Sequence, residues 1–239
     1  MHTWLRTAEA ARASGYSVQQ VRDLERLGVI PPAGRSANGY RGYTQLHVEA
    51  LEAYRGLSIA IGPVRARAAM PRLLRQTMED AAAEIDALHA DLARERERLD
   101  RARTALGAIQ RETTARDTDH EVMSISELSD ALGVPTSTLR FWEREGLLRP
   151  ERVTSLRVRR YGQRAIRDAR TTAALRGAGY RIEAVRELLA TLDDVDGARA
   201  TDQLLGERLT FVARRSVALL RAGSGIANIV ERTSAPGPP

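Results

Sequence analysis

The sequence predicts a mainly α-helical fold in which a small module of helices and a β-wing occurs twice on one chain, with a long coiled coil joining the copies. Three observations carry this expectation. First, the 239-residue chain repeats itself without gaps at an offset of 118: Gly15 corresponds to Gly133, Arg22 to Arg140, Glu25 to Glu143, Gly28 to Gly146, Pro32 to Pro150, Arg41 to Arg159, Tyr43 to Tyr161 and Leu57 to Leu175. Second, between the copies Met78, Ala81, Ile85, Leu88, Leu92, Leu99, Ala102, Leu106 and Ile109 alternate at spacings of three and four, with only Glu95 out of line. Third, net positive charge is confined to the repeated blocks: 9 Arg against 5 acids in residues 1–70 and 13 against 8 in 122–192, compared with 9 against 12 in 71–121 and 6 against 6 in 193–239.

Each copy opens with a short helical pattern, "TAEAARASG" or "SISELSDALG", the second with capping-box spacing at Ser124 and Glu127. A glycine ends it. A second helix follows, from Ser17 or Pro135 to Gly28 or Gly146, with Val21, Leu24 and Leu27, or Leu139, Trp142 and Leu147, at inward spacing. Helix, glycine turn and helix make a helix-turn-helix. The next stretches, "VIPPAGRSANGYRGY" and "LLRPERVTSLRVRRY", run from an apolar pair and a proline to a tyrosine. Asn38-Gly39 is a hairpin-turn signal, and Leu156 and Val158 alternate with Arg157 and Arg159 as in a strand. These are the small β-wings of two winged helix-turn-helix domains. Two supporting helices are expected in each, Leu46–Ile59 with Pro63–Met70, and Arg164–Leu175 with Ile182–Leu192, Pro63 fitting the first turn of a helix.

The organisation is therefore 1–70 domain A, 71–121 a long coiled-coil helix and hinge, 122–194 domain B, 195–232 a returning coiled-coil helix, and 233–239 a disordered tail ("SAPGPP"). The helix of about 40 residues expected from Pro71 would rise roughly 60 Å. The seam residues are Ile85, Leu88, Leu92, Leu99 and Leu106 on the first long helix and Leu209, Val212 and Leu219 on the second, which is weakened at "GSG" near Gly223.

All 37 basic side chains are arginine, and they outnumber 31 acids to give a net charge of +6 and a pI near 10.4. That balance points to a polyanionic partner. The absence of cysteine excludes disulfides, thiolate metal sites and a cysteine nucleophile. No leader-like start and no run of 18 apolar residues occurs, so a cytoplasmic, nucleoid-associated protein without membrane contact is expected. His2, His47, His89 and His120 are scattered, and "DTDHE" (Asp117–Glu121) reads as a solvated hinge, so no metal, no cofactor and no catalysis are expected.

The second copy, "SISELSDALGVPTSTLRFWEREGLLRPERVTSLRVRRY" with "GAGYRIEAVRELL", resembles the MerR-type transcription regulators nearly throughout. The first keeps the family-like wing "GYRGY" but has Asp23 and Leu24 in place of an aromatic pair, which the second copy carries as Phe141 and Trp142. The resemblance covers about 1–70 and 122–192. It implies DNA-binding domains that bend and untwist promoter DNA, with RNA polymerase as a further partner. Ordinary members carry one such domain and dimerise through antiparallel long helices. This chain therefore looks like a dimer fused into one polypeptide, a monomeric pseudo-dimer reading an asymmetric imperfect palindrome in double-stranded promoter DNA; a homodimer is the alternative. Family sensors use cysteines or an aromatic-lined domain after the coiled coil, and this sequence has neither.

At the exposed start of the second helices, Gln19 and Gln20 in copy one and Ser137 and Thr138 in copy two occupy base-reading positions. Arg22, Arg35, Tyr40 and Arg41 in copy one, and Arg140, Arg149, Arg152, Arg157, Arg159 and Arg160 in copy two, are candidate phosphate ligands. Gln19 and Gln20 could instead form a solvated helix face, and Arg22 and Arg140 could pair with Asp23 and Glu143. Tyr43 and Tyr161 read as core. Two other functions remain open: a protein-interaction module with one domain on DNA and the other on polymerase or a regulator, and a low-specificity architectural DNA binder.

Overall fold

The computed structural model describes residues 4–35, 39–115, 122–152, 159–192 and 195–234. Asn38, the alternation at Leu156–Val158, the "DTDHE" hinge and the final Ala235–Pro239 lie outside them. Among the described residues the chain is mainly helical, with ten helices and two small sheets. The chain divides into two units, residues 1–93 with 211–239, and residues 94–210.

The first unit begins with α1 (Thr7–Ser14) and α2 (Val18–Arg26). Gly15 ends α1 at φ +67°, a left-handed conformation that a Cβ would strain, and lets the chain turn into α2. Strands β1 (Gly34–Arg35) and β2 (Arg41–Gly42) pair antiparallel, with Gly34 opposite Gly42. Leu5 adds a bridge to Tyr43, each N–H donating to the other's carbonyl at 2.8 and 2.9 Å. Then come α3 (Gln45–Ile61), α4 (Pro63–Leu73, with Pro63 in its first turn) and the start of α5 (Met78–Ala115).

The core of this unit is Val21, Leu24, Val29, Ile30, Leu51, Leu57, Met70 and Leu73, all buried. Leu27, expected to face inward, is 43% exposed. The reason is that α2 ends at Arg26, so Leu27 caps the helix and the inward role passes to Val29 and Ile30. The long helix also starts later than expected. Pro71 lies inside α4, which runs on to Leu73, and α5 begins at Met78 after Thr77 Oγ1 accepts the Asp80 N–H at 3.2 Å.

The second unit repeats this order with α6 (Ile125–Leu132), α7 (Thr136–Arg144), β3 (Glu151–Arg152), β4 (Arg159–Arg160), α8 (Gln163–Gly177) and α9 (Ile182–Thr191). The capping box at Ser124 and Glu127 is formed, and Gly133 ends α6 at φ +63°. Met123 bridges Tyr161 as Leu5 bridges Tyr43. The wing register differs, however. Glu151 pairs with Arg160 and Arg152 with Arg159, one residue out of step with the 118-residue offset. A one-residue shift exchanges the faces of a strand, so the two wings present different side chains from equivalent positions.

The long α5 and α10 (Val195–Ser234) each contribute to both units. Their apolar stripes face inward: Leu88, Leu92, Leu99, Ala102 and Ile109, and Leu205, Val212, Leu219, Ile226 and Val230 are buried, with Ile85, Leu106 and Leu209 half-buried. Within the second unit the two helices run in opposite directions, since Arg103 pairs with Asp202 (2.6 and 2.8 Å) and Glu95 with Arg208 (3.9 Å). In the first unit α10 packs along α3. Arg215 Nε donates to the Ala60 carbonyl at 2.8 Å and Arg232 pairs with Glu49 at 3.1 Å.

In both units a buried tyrosine ties the end of the wing to the second helix. The Tyr43 hydroxyl donates to Glu25 at 2.8 Å, and Glu25 also accepts from the Ala33 N–H at 3.2 Å and pairs with Arg41 at 3.2 Å. The Tyr161 hydroxyl donates to Glu143, which pairs with Arg159 at 3.2 Å. Burial, reinforced by the adjacent carboxylate, pushes the Tyr43 hydroxyl up to about 12 and raises that of Tyr161 in the same way. Tyr43→Phe and Tyr161→Phe are each expected to cost about 1–3 kcal/mol in urea unfolding, the range for a lost buried hydrogen bond to a charged group. Unchanged midpoints would contradict this. Because the folded pKa of Tyr43 is raised above the unfolded value, its contribution is intact below about pH 10. It is lost as pH rises toward about 12. Tyr43→Phe should therefore lose less stability than the parent over that interval.

Candidate nucleic-acid interface

The outer face of each unit that carries the second helix and the wing collects the arginines expected to meet an anion. Its starting point is the N-terminus of α2. Ser17 Oγ accepts the Gln20 N–H at 3.1 Å, and Gln20 Oε1 accepts the Ser17 N–H at 2.9 Å, a reciprocal cap that turns the Gln20 side chain back on its own helix. Gln19 Nε2 donates to Asp23 at 3.1 Å, and Arg26 pairs with the same carboxylate at 3.2 Å. The Gln19 amide, followed by Arg26, holds the Asp23 carboxyl below the usual carboxylate range. Both glutamines are exposed but already engaged.

The second copy is built differently at the same place. Pro135 precedes α7 and offers no capping side chain. Ser137 is exposed and Thr138 half-buried, and among the described residues neither hydroxyl is committed to a partner. The two candidate base-reading positions therefore differ in availability as well as in residue type.

Arg22 and Arg140 are exposed on these helices, and among the described residues neither pairs with an acid. The acids that could have claimed them are taken elsewhere, Asp23 by Arg26 and Glu143 by Arg159. Arg41 and Arg159 are anchored at Nε by Glu25 and Glu143, which leaves their guanidinium tips beside the half-exposed surface of the wing. Arg35, Arg149 and Arg160 are exposed, and the Tyr40 ring is 77% exposed. Arg152 sits on β3, and Arg157 lies outside the described residues. Phe141, in the place where the family pattern has a tyrosine, is partly exposed with Arg144 over its ring at 5.8 Å. Trp142 is buried.

His47 is a structural residue. Its Nδ1 accepts the Thr44 N–H at 3.0 Å and its Nε2 contacts the Pro32 carbonyl at 3.3 Å, bracing the wing against α3, while burial lowers its pKa. Among the described residues no three metal-ligating side chains cluster.

Sequence reasoning missed Trp4 and Arg6. The Trp4 ring packs against the wing where Gly34 and Gly42 leave room: a Cβ on either would come within 2.4 or 2.0 Å of the indole. With Tyr40, Arg6, Arg22, Arg35 and Arg41 it borders an open concavity of about 760 Å³. The signal was present in the repeat. Trp4, Gly34 and Gly42 correspond to Val122, Arg152 and Arg160, three changes that make sense only together. In copy two Val122 stands at the place of Trp4, and Arg149, Arg164 and Arg186 border a polar cleft of about 400 Å³ beside the wing.

Comparison with known proteins agrees with this geometry. Residues 123–192 match the model of the MerR HTH family regulatory proteins, and residues 6–43 separately match that of the MerR family regulatory proteins. The HTH-type transcriptional regulator HmrR of Rhizobium leguminosarum bv. viciae is 35% identical over 94 residues, 39% of this chain and 72% of the relative. A probable heavy metal-dependent transcriptional regulator of Haemophilus influenzae is 48% identical over 44 residues, 18% of this chain and 34% of the relative. The mercuric resistance operon regulatory protein of Shigella flexneri is 27% identical over 110 residues, 46% of this chain and 76% of the relative. No solved structure gives a significant match. With two segments matching the family separately and a relative covered over most of its length, the chain belongs to the MerR family of helix-turn-helix regulatory proteins.

Proposed function

We propose that this chain is a DNA-binding transcription regulator whose two winged helix-turn-helix domains, 1–70 and 122–194, read the two halves of one promoter site. One observation carries the proposal: a recognition helix locked to an arginine-bearing wing is built twice on a single chain, with Glu25, Tyr43 and Arg41 in one copy and Glu143, Tyr161 and Arg159 in the other. In this reading the buried stripes of α5 and α10 form an antiparallel coiled coil that takes the place of a dimer interface. One chain is then sufficient for one site, although a homodimer remains the alternative.

Phosphates are held by Arg22, Arg35, Arg41, Arg140, Arg149, Arg152, Arg157, Arg159 and Arg160 with Tyr40, which supplies affinity without sequence information. Sequence is read by Ser137 and Thr138 in copy two and by Gln19 and Gln20 in copy one once their exposed local hydrogen bonds are exchanged for base edges, at a net cost of about 1 kcal/mol each. Because the readers differ, the operator is an imperfect palindrome. A rigid link between readers lets contacts at both ends offset the roughly 1–6 kcal/mol needed to bend 20–30 base pairs. The regulator would act at promoters with RNA polymerase, in the nucleoid.

The soft-metal effectors named for two relatives do not carry over. The chain has no thiolate, and among the described residues no cluster of three His or carboxylate ligands exists.

A second reading is favoured by the state of α2. Its Gln19, Asp23 and Arg26 satisfy one another, so copy one could face a protein such as polymerase while copy two alone holds DNA. Salt dependence separates the two. Arg149→Ala with Arg160→Ala is expected to flatten the slope of log K against log salt by about 2, at roughly 0.9 per phosphate contact. Arg35→Ala is expected to flatten it by about 1 if copy one is on DNA and not at all if it is on protein. An unchanged slope in the double variant would contradict DNA binding by the second wing.

Rigid linkage is tested by inserting four residues after Leu92, which turns the far reader by about 40° and lengthens the helix by about 6 Å. Affinity for the natural operator is expected to fall at least tenfold in a filter or fluorescence titration. Parental affinity would mean the readers are independent.

A further inference from the structure

We infer that the second unit contains a binding site for a small amphipathic anion, a carboxylate or sulfonate with an apolar body, in a cavity between α5, α6 and α8. The cavity measures about 480 Å³. That volume lies within the range of small-molecule pockets. Its floor is apolar and made of small side chains, with Ala105 and Ile109 from α5, Leu132 from α6, and Ala173, Ala174 and Gly177 from α8. Arg98, Arg101 and Arg170 stand at its rim, and no carboxylate lines it. Arg170 is fixed in place by Glu112 at 2.5 and 3.2 Å. Among the described residues Arg98 and Arg101 hold no acid. An apolar floor under uncompensated positive charge fits an apolar body with one anionic head.

The repeat shows what occupies the equivalent positions in copy one. Ala173 corresponds to Arg55, and in copy one the Arg55 guanidinium fills the equivalent place: it donates to the Ser14 carbonyl and stacks over Tyr16 at 4.7 Å. Ala174 corresponds to Gly56, where a Cβ would meet the Ala218 carbonyl of α10 at 2.8 Å, so helix packs on helix with no gap. Gly177, at the place of the exposed Ile59 of copy one, leaves the end of the cavity open. Copy two thus has alanine where copy one has the large cation, and Arg98 and Arg101 of α5 stand at the edge of the space. A ligand seated there touches α5 and the α6 and α8 helices of the second domain together.

The test uses the full-length chain titrated with 1-anilinonaphthalene-8-sulfonate, then displaced by decanoate or by decanol. The expected result is one saturable site from which decanoate displaces the probe at least ten times more effectively than decanol. Ala173→Arg, which gives copy two the side chain found in copy one, is expected to abolish saturable binding with an unchanged melting temperature. Arg98→Gln with Arg101→Gln, both on the surface, is expected to weaken decanoate at least tenfold and leave decanol unaffected. Should Ala173→Arg fail to fold, this second variant decides. Absence of saturable binding, full binding in Ala173→Arg, equal competition by decanol, or displacement by duplex DNA in place of decanoate would each overturn the proposal. Operator affinity measured on the same samples keeps this question separate from DNA recognition, since the site can be filled whether or not DNA binds.

Discussion

Each half of this protein depends on one buried hydroxyl-to-carboxylate bond. Tyr43 and Tyr161 are the last residues of their wings and are fully buried, and each hydroxyl donates a hydrogen bond to a glutamate on the preceding second helix of the module. A carboxylate in such a place is costly unless its oxygens are all engaged, and here they are taken by the tyrosine and a wing arginine, with the Ala33 N–H adding to the first copy. The bond fixes the distance between helix and wing, the two parts that the proposed function sets against a groove and its flanking phosphates. It also sets Arg41 and Arg159 at the junction, so the same glutamate that stabilises the module aims a guanidinium outward. The bridge from Leu5 or Met123 to the tyrosine closes the base of the wing behind it.

Around that fixed frame the two copies have diverged in ways physical chemistry can follow. In copy one the recognition helix is capped by Ser17 and Gln20, and a tryptophan covers a wing thinned by two glycines. In copy two a proline leads the helix, arginines replace both glycines, and the strand register moves by one residue. The first wing thus adds an aromatic cover to its arginines, where the second has arginine in the sequence at both glycine positions. Divergence of this kind is open to a chain that carries both modules, because neither half must remain complementary to itself. The same freedom accounts for Arg55 becoming Ala173, with a filled seam on one side and a cavity on the other.

Much of this was legible in the residues. The 118-residue offset, the glycines at helix ends, the capping box at Ser124 and the inward stripe of α5 follow from local rules that packing did not override. What escaped is of three kinds. Helix ends depend on single competitions: the long helix is expected from Pro71, yet Pro71 lies inside α4, which runs on to Leu73, and Leu27 faces outward because α2 stops at Arg26. Wing register depends on long-range pairing that a run such as "VTSLRVRR" does not encode. Side-chain engagement, as at Gln19, Gln20 and Arg41, depends on neighbours that only the folded chain brings together.

The central claim is that one chain supplies both readers of one site. Sedimentation velocity of the protein with a labelled duplex carrying its selected operator tests it most directly. The account predicts a saturated complex containing a single 26.3 kDa chain per duplex. A complex that saturates only with two chains per duplex would contradict it.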